Sequence, residues 1–365
     1  MKLTHLKTKG FRNLQNLSLE FSPQKRLFAF VGQNGQGKTN ILEAIYICGL
    51  SKSFRNADYQ EWVGWNQTFC HISVGTEKEG EITELDVIAN TEPKQKGLKI
   101  NGVKTSAMDF VGQLKVVFFS PDDLAYMSFA PKWRRHYLDV LLSQMSHDYL
   151  RALSRYQSIL KQRNALLKNI RDGKGRPEDL EIWDPQLAQW AMHIYQARQE
   201  LIADLRPLLE QYYQGIAHHQ DKVDLQLMAT LAHKDEADCL KGLFLGRTQD
   251  IARGQTQFGP HRDDLQFRLN VQDMTTFASR GEWRSMVLAL KFAEVQIIKK
   301  KTGQKPLVLL DDVFSELDES RQRDLLGELK EEQIFLTTTH HSFLEGVDLP
   351  KDVFEVKQGE VNLIT

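Results

Sequence analysis

GQNGQGKT at residues 32–39 decides the fold class. It fits the pattern G-x-x-x-x-G-K-[ST], and both flanks agree with it. Leu27–Val31 (LFAFV) is a short continuous apolar run of the kind that forms a buried strand. From Thr39 to Leu50, Ile41, Ala44, Ile45 and Cys48 recur at helical spacing. A strand that turns through glycines into a helix surrounds an anion with backbone N–H groups at a helix N-terminus. Gly32, Gly35 and Gly37 let the main chain wrap that anion without Cβ clashes. Gln33, Asn34 and Gln36 complete the loop and are expected on the nucleotide with them. Lys38 is expected to reach the β- and γ-phosphates of ATP, and Thr39 to offer its hydroxyl to Mg²⁺.

The second half of such a site is LVLLDDVFSELD (307–318), four apolar residues followed by two acids. It looks like a Walker B strand. Asp311 is assigned to Mg²⁺, and Asp312 to orienting or deprotonating the attacking water. The plain alternative is a strand that ends in a helix cap. Lys38 and Asp311 stand so far apart in the chain that a compact kinase or small GTPase does not fit. A nucleotide-binding head with an inserted arm does.

ASRGEWRSMVLALKFAE (278–294) resembles the signature motif of ABC-type ATPases, in the form S-x-G-E, leading into an apolar helix. Ser279 and the Gly281 N–H, with Glu282 beside them, make a second anion site at a helix start. It lies outside the phosphate loop, so the economical arrangement is two chains head to tail, each signature closing on the ATP of the other. The plain alternative is an ordinary N-cap by Ser279 with Glu282 in the first turn. Ser315–Asp318 (SELD) fits the loop that borders the opposing site. TTTHH (337–341) follows a strand, where His340 is either a γ-phosphate switch residue or a surface histidine. Arg12 and Asn13 either touch the nucleotide or only form a turn. His261 is either near the ATP or a support for the signature helix.

The chain divides into residues 1–120, with strands and the phosphate loop; 121–250, largely helical; and 251–365, again α/β. Two apolar stripes mark the middle part. One runs Leu150, Leu153, Leu160, Leu167; the other runs Trp183, Leu187, Trp190, Ile194, Ala197, Leu201, Leu205. RDGKGRPEDL (171–180) between them reads as a turn, which makes a helical hairpin. The fold class is therefore α/β, an ABC-type P-loop ATPase head with an inserted α-helical arm. Arms of this length are too short for a chromosome-condensing SMC protein.

The 365 residues are 41% hydrophobic and 26% charged, a globular balance that excludes a disordered or fibrous chain. No apolar run is long enough to span a bilayer, and MKLTHLKTKG is not followed by the apolar segment of a secretory signal. Three scattered cysteines argue against a disulfide framework or zinc site and for a cytoplasmic protein. The net charge of −1 excludes a uniformly basic nucleic-acid coat. A local track remains open: Arg151, Arg155, Lys161, Arg163, Lys168, Arg171, Lys174 and Arg176, preceded by Arg134 and Arg135. It is either a phosphate track for DNA or a solvated helix face. No base-reading motif accompanies it, so any DNA binding should not be sequence-specific. Trp183 and Trp190 read as hairpin core.

Taken together, these motifs resemble the RecF family of bacterial recombination and repair proteins, ABC/SMC-like ATPases, over nearly the whole chain. The resemblance is carried by GFRNL (10–14), GQNGQGKTNILEAIY (32–46), SKSFRN (51–56), FFSPDDL (118–124), PKWRRHYLD (131–139), LKQRNALLK (160–168), FGPHRDDLQF (258–267), the SRGE signature and LLDDVFSELD. It implies ATP and DNA binding, an ATP-dependent homodimer, action at single-strand gaps or ss/ds junctions, and work with RecO and RecR to load RecA. Through that it implies support of replication forks and SOS induction. Three departures stand out: Ser128-Phe129-Ala130 before Pro131, where the family has glycines; Arg280 at the second signature position; and Asp312 where many ABC ATPases have Glu. The shorter Asp312 carboxylate implies weak, slow hydrolysis suited to a switch. Competing readings are the ATPase subunit of a membrane transporter, which the basic helical insertion disfavours, and a clamp that binds ATP without turnover.

Overall fold

The computed structural model describes residues 1–217, 220–230 and 235–364. The chain opens with β1 (Lys2–Phe11), β2 (Leu14–Glu20), β3 (Leu27–Val31) and α1 (Lys38–Leu50). Four more strands follow, β4 (Phe69–Lys78), β5 (Glu81–Thr91), β6 (Lys94–Ile100) and β7 (Val103–Lys104), then the short α2 (Ala107–Phe110) and β8 (Val116–Phe119). The helical part comprises α3 (Asp122–Phe129), α4 (Pro131–Met145), α5 (His147–Arg171) and α6 (Asp184–Ala217). Next come β9 (Val223–Met228), α7 (Glu236–Arg253), β10 (Asp264–Leu269), β11 (Gln272–Asp273), α8 (Met274–Phe277) and α9 (Arg280–Thr302). The chain finishes with β12 (Leu307–Asp311), α10 (Glu319–Glu328), β13 (Gln333–Thr338), β14 (Lys351–Lys357) and β15 (Glu360–Leu363).

Two compact units result, Met1–Leu124 with Ser285–Thr365, and Ala125–Arg284 inserted between those segments. The first unit holds two six-stranded sheets. One is antiparallel in the order β2-β1-β4-β5-β6-β7, and the other runs β15-β14-β3-β13-β12-β8. In the latter all neighbours except β15 are parallel. Its strands β3, β12 and β13 are buried along nearly their whole length, as continuous apolar runs covered on both faces must be. β3, the strand that feeds the phosphate loop, lies between β13 and β14.

The second unit corrects the sequence reading in three places. Residues 251–284, expected to belong with the head, fold here, because β10 pairs antiparallel with β9 and with β11. Alternating Leu265, Phe267 and Leu269 bury one face of β10 together with Val223 and Leu225 of β9. The middle of the chain is thus helices plus a three-stranded sheet. The buried face of α5 is Tyr149, Ala152, Tyr156, Ile159, Arg163, Leu167 and Ile170, one residue off the Leu150, Leu153, Leu160 stripe.

That face contains a cation. Arg163 has no exposed side-chain surface. Its Nε donates to Asp184 Oδ1 at 2.7 Å, and its Nη1 to Asp250 Oδ2 at 2.7 Å and Thr256 Oγ1 at 2.8 Å. Arg247 Nε donates to the other Asp184 oxygen at 2.8 Å. Arg134 grips Asp264 with two N–H groups at 2.7 and 2.8 Å, and Arg135 donates to the Asp263 carbonyl at 2.6 Å. Arg198 reaches Asp139 and the Pro260 carbonyl, both at 2.8 Å. PKWRRHYLD and FGPHRDDLQF are therefore bound to each other. Arg163 and Arg134 are withdrawn from any DNA track, because a guanidinium buried among carboxylates has its charge neutralised internally. Arg151, Arg155, Lys161, Lys168, Arg171, Lys174 and Arg176 remain exposed.

Candidate functional site

β3 ends at Val31, the loop runs through Gly32–Gly37, and α1 starts at Lys38 with Gly37 as its N-cap. Glycine contributes no capping side chain, so the first N–H groups of α1 are available to a ligand. Gly37 has φ of 113°, and a Cβ there would lie 2.7 Å from Asn13 Nδ2. A Cβ on Gly32 would lie 2.3 Å from the Val356 carbonyl oxygen. Both positions require glycine.

The loop is braced from two sides. Asn13 Nδ2 donates to the Gln36 carbonyl at 3.1 Å, and Asn40 Nδ2 donates to Asn13 Oδ1 at 2.7 Å. At the turn between β14 and β15, the Gly359 N–H donates to the Gln36 carbonyl at 2.9 Å and the Gln358 N–H to Gln36 Oε1 at 2.6 Å. Asn13 thus shapes the loop from behind. Lys38 folds back over it, its Nζ donating to the Gly32 and Gln33 carbonyls at 2.6 and 2.9 Å. Burial lowers the Lys38 pKa, while the carboxylates of Asp312 and Asp311 work against that shift.

Asp311 ends β12 opposite Thr337 of β13. Its Oδ1 accepts from Thr39 Oγ1 at 2.8 Å and from Thr337 Oγ1 at 2.7 Å. The Asp312 N–H donates to Thr337 Oγ1 at 3.0 Å. Asp312 has φ of 51°, left-handed backbone that aspartate tolerates better than most side-chain-bearing residues, and it starts the short helical turn that follows. A cavity of about 200 Å³ brings Asn34, Gly35, Gly37, Lys38 and Thr39 together with Asp311 and Asp312. It also adds three residues that the motif reading passed over, Asn40, Arg55 and Thr337. Arg55 lies within SKSFRN and Thr337 opens TTTHH, yet in neither stretch does a pattern single that residue out. The hydroxyl of Thr39 and the carboxylate of Asp311 are hard oxygen donors side by side. They fit Mg²⁺, which takes one or two protein oxygens and completes its shell with phosphate and water.

Other candidates lie elsewhere. Arg12 does not line the cavity; its Nη2 and Nε donate to Glu43 Oε1 and Oε2 at 2.8 and 3.2 Å. His340 is exposed, its ring edge-on to Phe343 at 5.9 Å, and it does not line the cavity either. Thr337, near the end of β13, lines the cavity instead. Ser279 and Glu282 form a reciprocal cap: the Ser279 N–H donates to Glu282 Oε2 at 2.6 Å, and the Glu282 N–H to Ser279 Oγ at 3.3 Å. Ser279 and Gly281 are exposed in the second unit. His261 bonds within that unit to Tyr156 and to the Thr256 carbonyl. Within SELD, the Glu316 side chain lies outside the described residues.

Comparison with known proteins identifies the family. The family model for the RecF/RecN/SMC N terminal domain matches residues 2–362. The chain is 37% identical over 372 residues to the DNA replication and repair protein RecF of Alkaliphilus oremlandii (strain OhILAs), covering 99% of this chain and 100% of that one. A solved structure of the recombination mediator protein RecF-ATPrS in the RecFOR pathway superposes with a TM-score of 0.92 at 29% identity, covering 100% of this chain and 98% of the other. An Smc head bound to the C-winged helix domain of ScpA gives a TM-score of 0.57 at 15% identity over 100% of this chain and 97% of the other, a likeness of fold alone. The α/β architecture is that of an ABC-type ATPase head. With the phosphate loop, the paired acids after β12 and a relative matched end to end, the chain belongs to the RecF family.

Proposed function

We propose that the chain is an ATP-switched DNA repair protein that binds ATP with Mg²⁺ at the loop of residues 32–39, dimerises through its signature, and binds DNA without sequence preference at single-strand gaps or ss/ds junctions. The observation that carries the reading is Asp311 Oδ1 meeting both Thr39 and Thr337 at the mouth of the glycine loop. Mg²⁺ supplies charge neutralisation for the phosphates, and Thr39 and Asp311 would hold it. Lys38, now bonded to loop carbonyls, would exchange them for β- and γ-phosphate oxygens. Asp312 would orient the attacking water and accept its proton, and Arg55 would add a cation on the phosphate side. Ser279 and Gly281, exposed at the start of α9, would close on the ATP held by a second copy. His340 would act only if closure moves it toward the cavity, so its switch role rests on position in the chain.

The exposed part of the basic stripe would follow the DNA backbone. By its family, the protein would work with RecO and RecR in the cytoplasm to load RecA, supporting replication forks and SOS induction. Hydrolysis would be weak and DNA-stimulated, a switch more than a motor. A transporter ATPase subunit shares the head but not the basic arm, and a non-hydrolysing clamp would have no use for Asp312.

The test is particle mass in solution with and without ATP and gapped DNA, on the wild type and on Ser279→Arg. The expected result is a dimer that forms only with ATP and is lost in the variant. A wild type that stays monomeric at saturating ATP would overturn the dimer mechanism. Absence of turnover with bound ATP would leave the clamp.

A further inference from the structure

Glu43 lies on α1, one turn beyond Thr39, and its side chain has no exposed surface. A carboxylate there must be fully bonded, or the fold loses several kcal/mol. Its partners come from three places. Arg12 donates to both oxygens, at 2.8 and 3.2 Å. Ser53 Oγ donates to Oε1 at 2.6 Å, and Arg55 Nη1 donates to Oε2 at 3.0 Å. Ser53 Oγ also accepts the Arg55 backbone N–H at 3.0 Å, so Glu43 grips Arg55 through its side chain and, by way of Ser53, through its main chain. The same Arg55 Nη1 donates to Asn40 Oδ1 at 2.8 Å. Asn40 leads on through Asn13 to the Gln36 carbonyl in the phosphate loop.

Arg55 itself is 38% exposed along its side chain and lines the phosphate cavity. Its guanidinium lies 5.6 Å from the Phe54 ring centroid, and Phe54 is stacked on Phe118 at 4.0 Å. The loop is therefore anchored by an aromatic wedge and aimed by a buried charge. A guanidinium has five donors, and both side-chain bonds named here use Nη1, which leaves donors for phosphate oxygens.

We infer that Glu43 is a positioning residue for nucleotide selection: it holds Arg55 over the end of the phosphate chain, so that a triphosphate is favoured over a diphosphate. The inference rests on the ATP reading above and deepens it. Arg12 belongs to the same device. By taking both Glu43 oxygens it leaves Arg55 a single bond to the carboxylate, a hold strong enough to aim the side chain and loose enough to let it meet a ligand.

The experiment compares binding of ATP and ADP, each with Mg²⁺, to the full chain by calorimetry. Wild type, Glu43→Gln, Arg55→Gln and the double variant are measured. Glu43→Gln keeps the shape and removes the charge. The ratio of ADP to ATP dissociation constants is expected to fall about tenfold in each single variant, the size of one charge-assisted hydrogen bond. The double variant should fall no further, because both changes remove the same arm. ADP affinity alone should move less than about twofold. If Glu43→Gln does not fold, Ser53→Ala removes one link of the grip, leaves both charges in place, and should shift the ratio in the same direction. An unchanged ratio in Glu43→Gln, or in Ser53→Ala when that stand-in is used, overturns the inference, as does an additive loss in the double variant. A wild type that binds neither nucleotide would instead sink the ATP reading itself.

Discussion

Replacing Arg163 with Leu would leave Asp250 buried in the second unit with its strongest partner gone. Asp184 would keep Arg247 at 2.8 Å, while Asp250 would keep the Gln257 N–H at 2.9 Å. Removing one member of a buried ion pair costs about 3–5 kcal/mol, because the remaining charge stays desolvated. Replacing both Arg163 and Asp250 with neutral residues should recover part of that loss, since no uncompensated charge remains. Urea unfolding followed by tryptophan fluorescence would read this, with Trp183 and Trp190 beside the affected helices. At a slope of about 2–3 kcal/mol per molar urea, the single variant should lower the midpoint of that transition by about 1–2 M. The exposed Arg155→Ala is the contrast. Its stability should change by less than about 0.5 kcal/mol. Its DNA affinity should fall for all sequences alike, with the salt slope reduced by about one. An Arg163→Leu protein with an unshifted midpoint and selectively lost DNA binding would refute the reasoning and return Arg163 to the surface track.

His261 should remain neutral in the fold: burial lowers its pKa to about 4, against the ordinary 6.5. A depressed folded pKa means the unfolded chain binds the extra proton first, so stability is lost as pH falls from about 6.5 to about 4. His261→Asn should flatten that part of the stability profile in thermal melts taken across this range. Gly37→Ala forces a Cβ onto Asn13 at an unfavourable φ, and nucleotide affinity should fall at least about tenfold with the melting temperature shifted only a few degrees. Asp312→Asn should retain ATP binding and lose about a hundredfold in turnover by phosphate release; unchanged turnover would remove Asp312 from its assigned role.

The parts of the site legible in the sequence are those where backbone geometry dictates residue type. Gly32 and Gly37 face atoms that exclude a Cβ, and a buried strand between covered faces must read as an apolar run, as 307–310 does. What stayed hidden depends on partners far away in the chain. Arg163 and Arg155 look alike in a basic helix; only Asp184 and Asp250, which no local spacing ties to Arg163, separate the interior cation from the exposed one. The same holds for β10, whose partner β9 lies beyond α7, so 251–284 read as part of the head. Arg55 and Thr337 reach the cavity from a turn and from near a strand end, in stretches where no spacing singles them out from their neighbours. The buried face of α5 lies one residue from the leucines at 150, 153 and 160 because it is built from Arg163 and two tyrosines as well as apolar side chains.

β3 is made early, yet both of its neighbours, β13 and β14, arrive more than three hundred residues later, and the hairpin tip that steadies Gln36 later still. During synthesis on a ribosome, the nascent glycine loop would have Asn13 behind it but neither acid of the cavity in front. The strand beneath it would stay unpaired on both edges until β13 and β14 had emerged. A product cut short before β12 would lack both acids of the cavity, and the unpaired strand needs shielding from aggregation in the interval. Nucleotide capture thus depends on strands translated long after the loop they flank.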